Sequence, residues 1–325
     1  SGRRYDRAVE LEIGKLMKIL ILGAGATGGY FGGRLAAAGA DVTFLVREKR
    51  ARQLAADGLV IESAFGNART PVKTVLADQL DAPHDVVILS CKAYDLDTSI
   101  AAIRPAVGAT SVVLPLLNGI KHLDTLDATF GMERVLGGSC HLSVTLGEDG
   151  VIRHLNQLHL LTFGPRVPSQ LAQCRKILDV FSSANFEPKL REDMMQAMWD
   201  KWVLLASLAG LTCLFRASVG EIAATPHGRD LMLALIEECR AVARANGHEP
   251  SAEHMTSIAS LLTDPSSKVV ASMLRDMQKD ARIEADLIIG DMLRRGQLAG
   301  VKTPILTIAD ANLRCYEGQR MAGQA

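Results

Sequence analysis

Lys201 stands at the head of fourteen uncharged residues, Trp202 to Phe215, in the run KWVLLASLAGLTCLF. A lone ammonium leading an apolar helix is either a lysine with a buried stem and a solvated head, or a proton donor beside a reacting group. The other end of the chain bears on that choice. Gly23-Ala24-Gly25-Ala26-Thr27-Gly28 is a G-x-G-x-x-G that directly follows the apolar run Lys18 to Leu22 and opens the helical stretch Thr27 to Ala38. In that setting the first glycine permits a tight turn and the second lets backbone approach a pyrophosphate. The third allows close helix–strand packing, and the helix N-terminus offers N–H groups to the anion. A dinucleotide hydride carrier and a proton donor are together what the reduction of a carbonyl requires.

The second strand selects the cofactor. Enzymes that bind NAD usually place an acidic residue at its end, about 20 residues past the last glycine, to hold the ribose 2′-hydroxyl. Here Arg47 holds that place, followed by Glu48, Lys49 and Arg50. Arginine suits a 2′-phosphate, so the cofactor predicted is NADP(H), with Glu48 leaving NAD open.

Three more residues are candidates by placement. Met273 to Arg294 reads as one helix with an apolar stripe at Leu274, Met277, Ala281, Ala285, Ile288 and Met292. Glu284 falls at the edge of that stripe, where a carboxylate must be paired to be buried. Arg282 or Arg294 would pair it in a purely structural role; otherwise it orients a ligand hydroxyl or Lys201. Asn118-Gly119 is first of all a turn signal. Both it and Lys92, however, follow apolar strands whose carboxyl ends would open onto a ligand crevice.

These residues need a scaffold, and the chain supplies the pattern of one. Lys18 to Leu22, Asp41 to Val46, Asp85 to Cys91 and Ser111 to Leu117 are apolar runs separated by helical segments. That alternation predicts a doubly wound α/β domain of Rossmann type. Gly137 to Pro165 reads as shorter strands extending the same sheet. Beyond Pro188 and the charged Lys189 to Asp193, nearly everything reads as helix. The expected division is an N-terminal extension over 1–16, a nucleotide-binding α/β domain over 17–190 and an all-helical C-terminal domain over 191–325.

At 325 residues the chain is long enough for two cores. Basic and acidic residues number 36 each, which argues against nucleic acid as a partner. Six cysteines without a C-x-x-C pair point to a reducing cytoplasm, and the eight histidines show no metal-ligand spacing. The longest apolar stretch, Trp202 to Phe215, falls short of a membrane span of roughly 18–20 residues, and residues 1–16 lack the apolar core of a signal peptide. The apolar C-terminal helices would permit a homodimer and would serve equally as ordinary core.

Together these features resemble the ketopantoate reductase (2-dehydropantoate 2-reductase) family, over Lys18 to about Tyr316. The resemblance rests on GAGATGGYFGGRLAAAGADVTFLVR at 23–47, CKAYD at 91–95, LLNGI at 116–120 and GVIRH at 150–154. It continues through MWDKW at 198–202, GEI at 220–222 and SMLRDMQKDARIEAD at 272–286. It implies an NADP-binding domain followed by a helical domain, and reduction of the C2 carbonyl of a small-molecule 2-oxo acid. By that likeness Lys201 matches the general acid and Glu284 the glutamate at the junction of cofactor and substrate. Asn118 matches an asparagine near the nicotinamide, Lys92 the cofactor-side lysine, and Ser272 a substrate-binding serine. A role in pantothenate biosynthesis is implied in the same way.

Four positions depart from the family pattern. Where the family carries substrate-binding asparagines, this chain has Leu205, Ala209, Val219 and Val269. Buried polar groups of a ligand left without partners cost about 1–3 kcal/mol each, so this substitution favours a less polar 2-oxo or hydroxy acid. Arg216 is positioned to recover a carboxylate contact if it turns inward. Three functions compete: reduction of ketopantoate, reduction of a less polar relative, and an NADP(H)-binding sensor without turnover. The last has no use for Lys201 and Glu284.

Overall fold

The computed structural model describes residues 17–323, and the expected extension over 1–16 lies outside the described residues. The chain divides into two compact units. One gathers the residues up to Cys91 with Asp95–Leu116 and Leu126–Glu192; the other combines Lys92–Tyr94, Leu117–Thr125 and everything from Asp193 onward. The chain is α/β, with an N-terminal parallel sheet flanked by helices and a helical C-terminal part.

In the first unit the elements run β1 (Lys18–Leu22), α1 (Ala26–Ala37), β2 (Asp41–Leu45), α2 (Glu48–Asp57), β3 (Leu59–Glu62), β4 (Ala68–Thr70), β5 (Lys73–Val75), β6 (Val86–Leu89), α3 (Leu96–Ile103) and β7 (Val112–Pro115). After α4 (Lys121–Phe130), which leads back into this unit, come β8 (Gly137–Leu146), β9 (Val151–Gly164), α5 (Leu171–Phe181) and β10 (Glu187–Leu190). The first sheet has the order β5-β2-β1-β6-β7 with every pairing parallel. All four residues of β6 and of β7 are buried, as continuous apolar runs require. The strand order reverses between β1 and β6, and the carboxyl ends at such a switch point form the ligand crevice of this architecture.

The strands after Gly137 do not extend that sheet. They form a second one, β10-β9-β3-β4, with β8 paired to β9. The reason is the length of β9: at 14 residues it has β8 antiparallel along one edge, and β3 and β10 in parallel share the other. With both edges taken, β9 has no ladder to offer the parallel sheet. Gly147 N–H to Val151 O at 2.9 Å closes the hairpin turn, and Gly150 completes it at φ +78°.

The second unit is built on α6 (Met194–Phe215), followed by α7 (Val219–Ala223), α8 (Gly228–Ala245), α9 (Ala252–Leu262), α10 (Ser272–Gln278), α11 (Asp291–Leu298) and α12 (Pro304–Ala322). Helix α6 starts seven residues before Lys201, so that lysine lies inside the helix rather than at its head. By length and composition α6 could cross a membrane, a correction to the shorter apolar run read from sequence. It serves instead as a core helix, with Trp199, Trp202, Val203 and Ala206 buried where it packs on α8, α10 and α12.

The single helix expected over Met273 to Arg294 is broken. Helix α10 ends in a left-handed Asp280 at φ +52°. Ala281 N–H then bonds Asp276 O at 3.0 Å and Asp280 N–H bonds Met277 O at 3.0 Å, the paired reverse bonds that close a helix C-terminus. Tyr316 Oη donates to Ala281 O at 2.8 Å, and Ile283 N–H donates to Glu317 Oε1 at 2.8 Å. The chain resumes as a wide π-turn over Asp286–Gly290 before α11. An apolar stripe reports which residues are buried and not whether the helix between them is continuous: Leu274, Met277, Ile288 and Met292 are all interior. Glycine meets no Cβ penalty at a left-handed cap. Asp280→Gly is therefore expected to stabilise the protein by about 0.5–1 kcal/mol, measured by urea unfolding, with turnover unchanged.

Candidate functional site

The glycine loop has the geometry its sequence implies. Gly23 lies at φ +84°, in the left-handed region. A Cβ on Gly28 would fall 2.2 Å from Ser90 Oγ and 2.7 Å from Gly23 O, so that glycine lets α1 sit directly on the strands. Around Gly25 a Cβ would meet nothing within 4 Å. The second glycine thus borders open space, where backbone is exposed to a ligand. Helix α1 begins at Ala26 with Gly25 as an N-cap that supplies no side-chain hydrogen bond. Its first-turn N–H groups, those of Ala26 and Thr27 among them, are turned outward without intrahelical partners. The loop fits the pyrophosphate of a dinucleotide.

Arg47, two residues past β2 and the N-cap of α2, has extended backbone and an exposed side chain. Glu48 beside it is engaged with Arg52 at 3.5 Å on the surface. Arg50 takes the opposite course. Three residues along α2 it turns back beneath the glycine loop, with Nε donating to Ala24 O at 3.0 Å and Nη1 to Gln53 Oε1 at 2.6 Å and Gly150 O at 3.1 Å. Burial lowers its pKa, but a guanidinium remains protonated. The sequence shows only a run of charges here; Arg47 is the extended N-cap and Arg50 lies within the helix, a difference that no residue type in the run announces.

In the second unit Glu284 lies in the irregular segment after α10 with its side chain 9% exposed. Neither arginine expected as its partner pairs with it. Arg282 stacks over the Tyr94 ring at 4.5 Å, and Arg294 bonds Asp291. Glu284 instead accepts from Ala93 N–H at 3.0 Å and faces Lys92 Nζ at 3.5 Å. Lys92 also reaches Asp276 Oδ2 at 3.2 Å on the last turn of α10. Burial works against the Lys92 charge, but Glu284 and Asp276 outweigh it and hold the ammonium above the ordinary lysine range. The helix break makes this cluster: it ends α10 just past Asp276 and leaves Glu284 in an irregular segment that meets Lys92.

Lys201 is half-buried on α6 next to Trp202, whose Nε1–H donates to Ile288 O at 2.9 Å in the π-turn. Gly119, at φ +67°, turns the chain tightly against the same π-turn: a Cβ there would lie 2.9 Å from Leu287 O and 3.6 Å from Trp202 Nε1. The half-buried Asn118 is thereby placed next to that contact. Trp202, Gly119 and the π-turn thus link the elements bearing Lys201, Asn118 and Glu284. Ser272 opens α10 with its side chain exposed.

Of the positions where asparagine is replaced, Val219 and Ala209 are interior, Leu205 is half-buried and Val269 is 41% exposed. Val219 N–H bonds Val269 O at 3.0 Å, which ties the start of α7 to the segment leading into α10. Arg216 does not turn inward. It occupies the left-handed cap of α6 at φ +54°, exposed, with Nη2 3.5 Å from Asn312 Oδ1, because the cap aims its side chain away from the helix.

Comparison with known proteins agrees with this arrangement. Residues 19–167 match the family described as ketopantoate reductase PanE/ApbA, and residues 193–317 match its C-terminal domain. An uncharacterized oxidoreductase of Bacillus subtilis (strain 168), YkpB, is 36% identical over 306 residues, covering 94% of this chain and all of the relative. A PanE/ApbA family ketopantoate reductase from Ralstonia eutropha JMP134 superposes with a TM-score of 0.84 at 26% identity, covering 94% of this chain and 100% of that one. D-mandelate dehydrogenase, solved with NADH and anilino(oxo)acetate, has the same fold, with a TM-score of 0.84, 23% identity and coverage of 94% and 99%. With its glycine loop at a strand switch point and both halves matched, the chain belongs to the ketopantoate reductase family and is an NAD(P)-dependent oxidoreductase.

Proposed function

We propose that this enzyme reduces the C2 carbonyl of a 2-oxo acid with NADPH, with Lys201 as general acid and 2-dehydropantoate as the leading substrate. The observation that carries the reading is a half-buried ammonium on a core helix that is uncharged from Trp202 to its end, in a chain whose glycine loop fits a dinucleotide. The bound nicotinamide supplies the hydride. Lys201 stabilises the developing alkoxide and delivers its proton to the carbonyl oxygen. Glu284, held by Lys92 and Ala93 N–H, presents a fixed carboxylate. Asn118 and Ser272 are the polar candidates for orienting substrate, and Gly23 to Gly28 with Arg47 hold the cofactor.

A second reading, a less polar 2-oxo acid, is favoured by the aliphatic Leu205, Ala209, Val219 and Val269, and by a fold neighbour that acts on mandelate. The test is NADPH oxidation by purified protein with 2-dehydropantoate and with a panel of branched and aromatic 2-oxo acids. A kcat/KM at least about tenfold higher on the panel, the scale that one or two lost hydrogen bonds command, selects the second reading. Tight NADPH binding with no oxidation by any of them would leave a sensor and defeat both.

A further inference from the structure

We infer that Arg50 is a positioning residue for the dinucleotide: it sets the orientation of the Ala24–Gly25 peptide and, through Gly150, braces the glycine loop against the β8–β9 turn. This rests on the reading of the glycine loop as a nucleotide site. The peptide between Ala24 and Gly25 is planar and trans, so its C=O and N–H point in opposite directions. Arg50 Nε–H holds Ala24 O at 3.0 Å on the α2 side of the loop. The Gly25 N–H must then face the other way, away from α2, and a Cβ at Gly25 would find open space. The same bond engages a carbonyl whose partial negative charge would otherwise be free to turn toward a phosphate. Without the arginine, nothing in the contacts of Ala24 O prevents that peptide from flipping and presenting an acceptor to an anion.

The brace is built on both sides. Arg50 Nη1 bonds Gly150 O at 3.1 Å and Gln53 Oε1 at 2.6 Å, and Nη2 is shielded from solvent. Gly150 is at φ +78°, and a Cβ there would fall 2.0 Å from Gln53 Nε2, so the turn admits the Arg50–Gln53 pair only because it is glycine. This gives a physical role to the glycine that begins the GVIRH segment, which neither the cofactor motif nor the proton donor explains.

The experiment measures dissociation constants of NADPH and NADH by fluorescence titration for the wild type, Arg50→Ala, Arg50→Lys and Arg47→Ala, with the melting temperature of each apo protein. Loss of a charge-assisted bond predicts that Arg50→Ala weakens NADPH and NADH equally, by about tenfold or more. The ratio between the two cofactors and the kcat at saturating cofactor should stay unchanged. Arg50→Lys, able to reach one carbonyl, should recover part of the affinity. Arg47→Ala should instead change the ratio. A selective loss of NADPH in Arg50→Ala would make Arg50 a ligand of the 2′-phosphate and overturn the inference, as would unchanged affinity for both. Should Arg50→Ala fail to fold, Gln53→Leu, which removes one of the groups holding the guanidinium, is expected to show the same equal loss in smaller degree; its absence would also overturn the inference. Failure of the wild type to bind either nucleotide would refute the nucleotide-site reading itself, a result distinct from all of these.

Discussion

Lys201→Ala is expected to lower kcat/KM for the preferred 2-oxo acid by about 10²–10⁴-fold, the range of a positioned general acid, while NADPH binding changes less than about twofold, since no binding interaction of the usual 1 kcal/mol is removed from the nucleotide. The separation of the two readouts follows from the role proposed for the residue, a proton donor to the substrate carbonyl and not a ligand of the nucleotide. A purely structural lysine with a solvated head would be replaced at little cost to turnover. Lys201→Arg makes the test sharper: it keeps a positive charge but holds its proton more tightly and in a different geometry. It should remain well below wild type, whereas a role limited to neutralising charge would let it recover most of the rate. Single-turnover measurement of NADPH oxidation checks that the loss is in chemistry rather than in product release.

The second large effect is on stability as well as rate. Glu284→Ala removes the acceptor of Ala93 N–H and one of the two carboxylates beside Lys92. Because the carboxylate is 9% exposed, its loss leaves the Ala93 amide without its acceptor, while the exposed Lys92 ammonium keeps Asp276, at a cost of about 1–3 kcal/mol. Turnover should fall at least about tenfold, a displacement of roughly 1.4 kcal/mol in the transition state. Glu284→Gln keeps an acceptor for the amide and should lose less than half as much stability. Urea denaturation of the three proteins checks the order.

The pH dependence has a definite sign. The Lys92 pKa is raised in the folded protein, so the stabilisation it brings is fully present below the ordinary lysine value of 10.5 and fades as pH rises through the raised value. The stability gap between wild type and Glu284→Ala should therefore be constant on the alkaline side of neutrality and narrow only above about pH 10.5.

What the sequence determined by itself was set by local rules. Gly23, Gly25 and Gly28 announce a loop because each glycine meets a backbone requirement, and three different ones are visible in the structure: a left-handed turn, open space and a contact too close for a Cβ. The buried parallel strands were legible because strands covered on both faces are apolar throughout. Lys201 stood out because one charge on an apolar helix needs a reason. Tertiary structure decided the rest. Strand register belongs to pairs of segments distant in sequence, so nothing within Gly137 to Pro165 told that β9 would take β3 and β10 as neighbours and found a second sheet. The apolar stripe of Met273 to Arg294 could not reveal its break, because burial repeats with the same period on either side of the left-handed Asp280. That break brings Glu284 to Lys92 in place of Arg282 or Arg294, across 192 residues of sequence. Arg50 likewise looked like one charge in a charged loop, and only the folded α2 turns it beneath the nucleotide loop, because partners such as Gly150 O are backbone atoms to which no residue type is a guide.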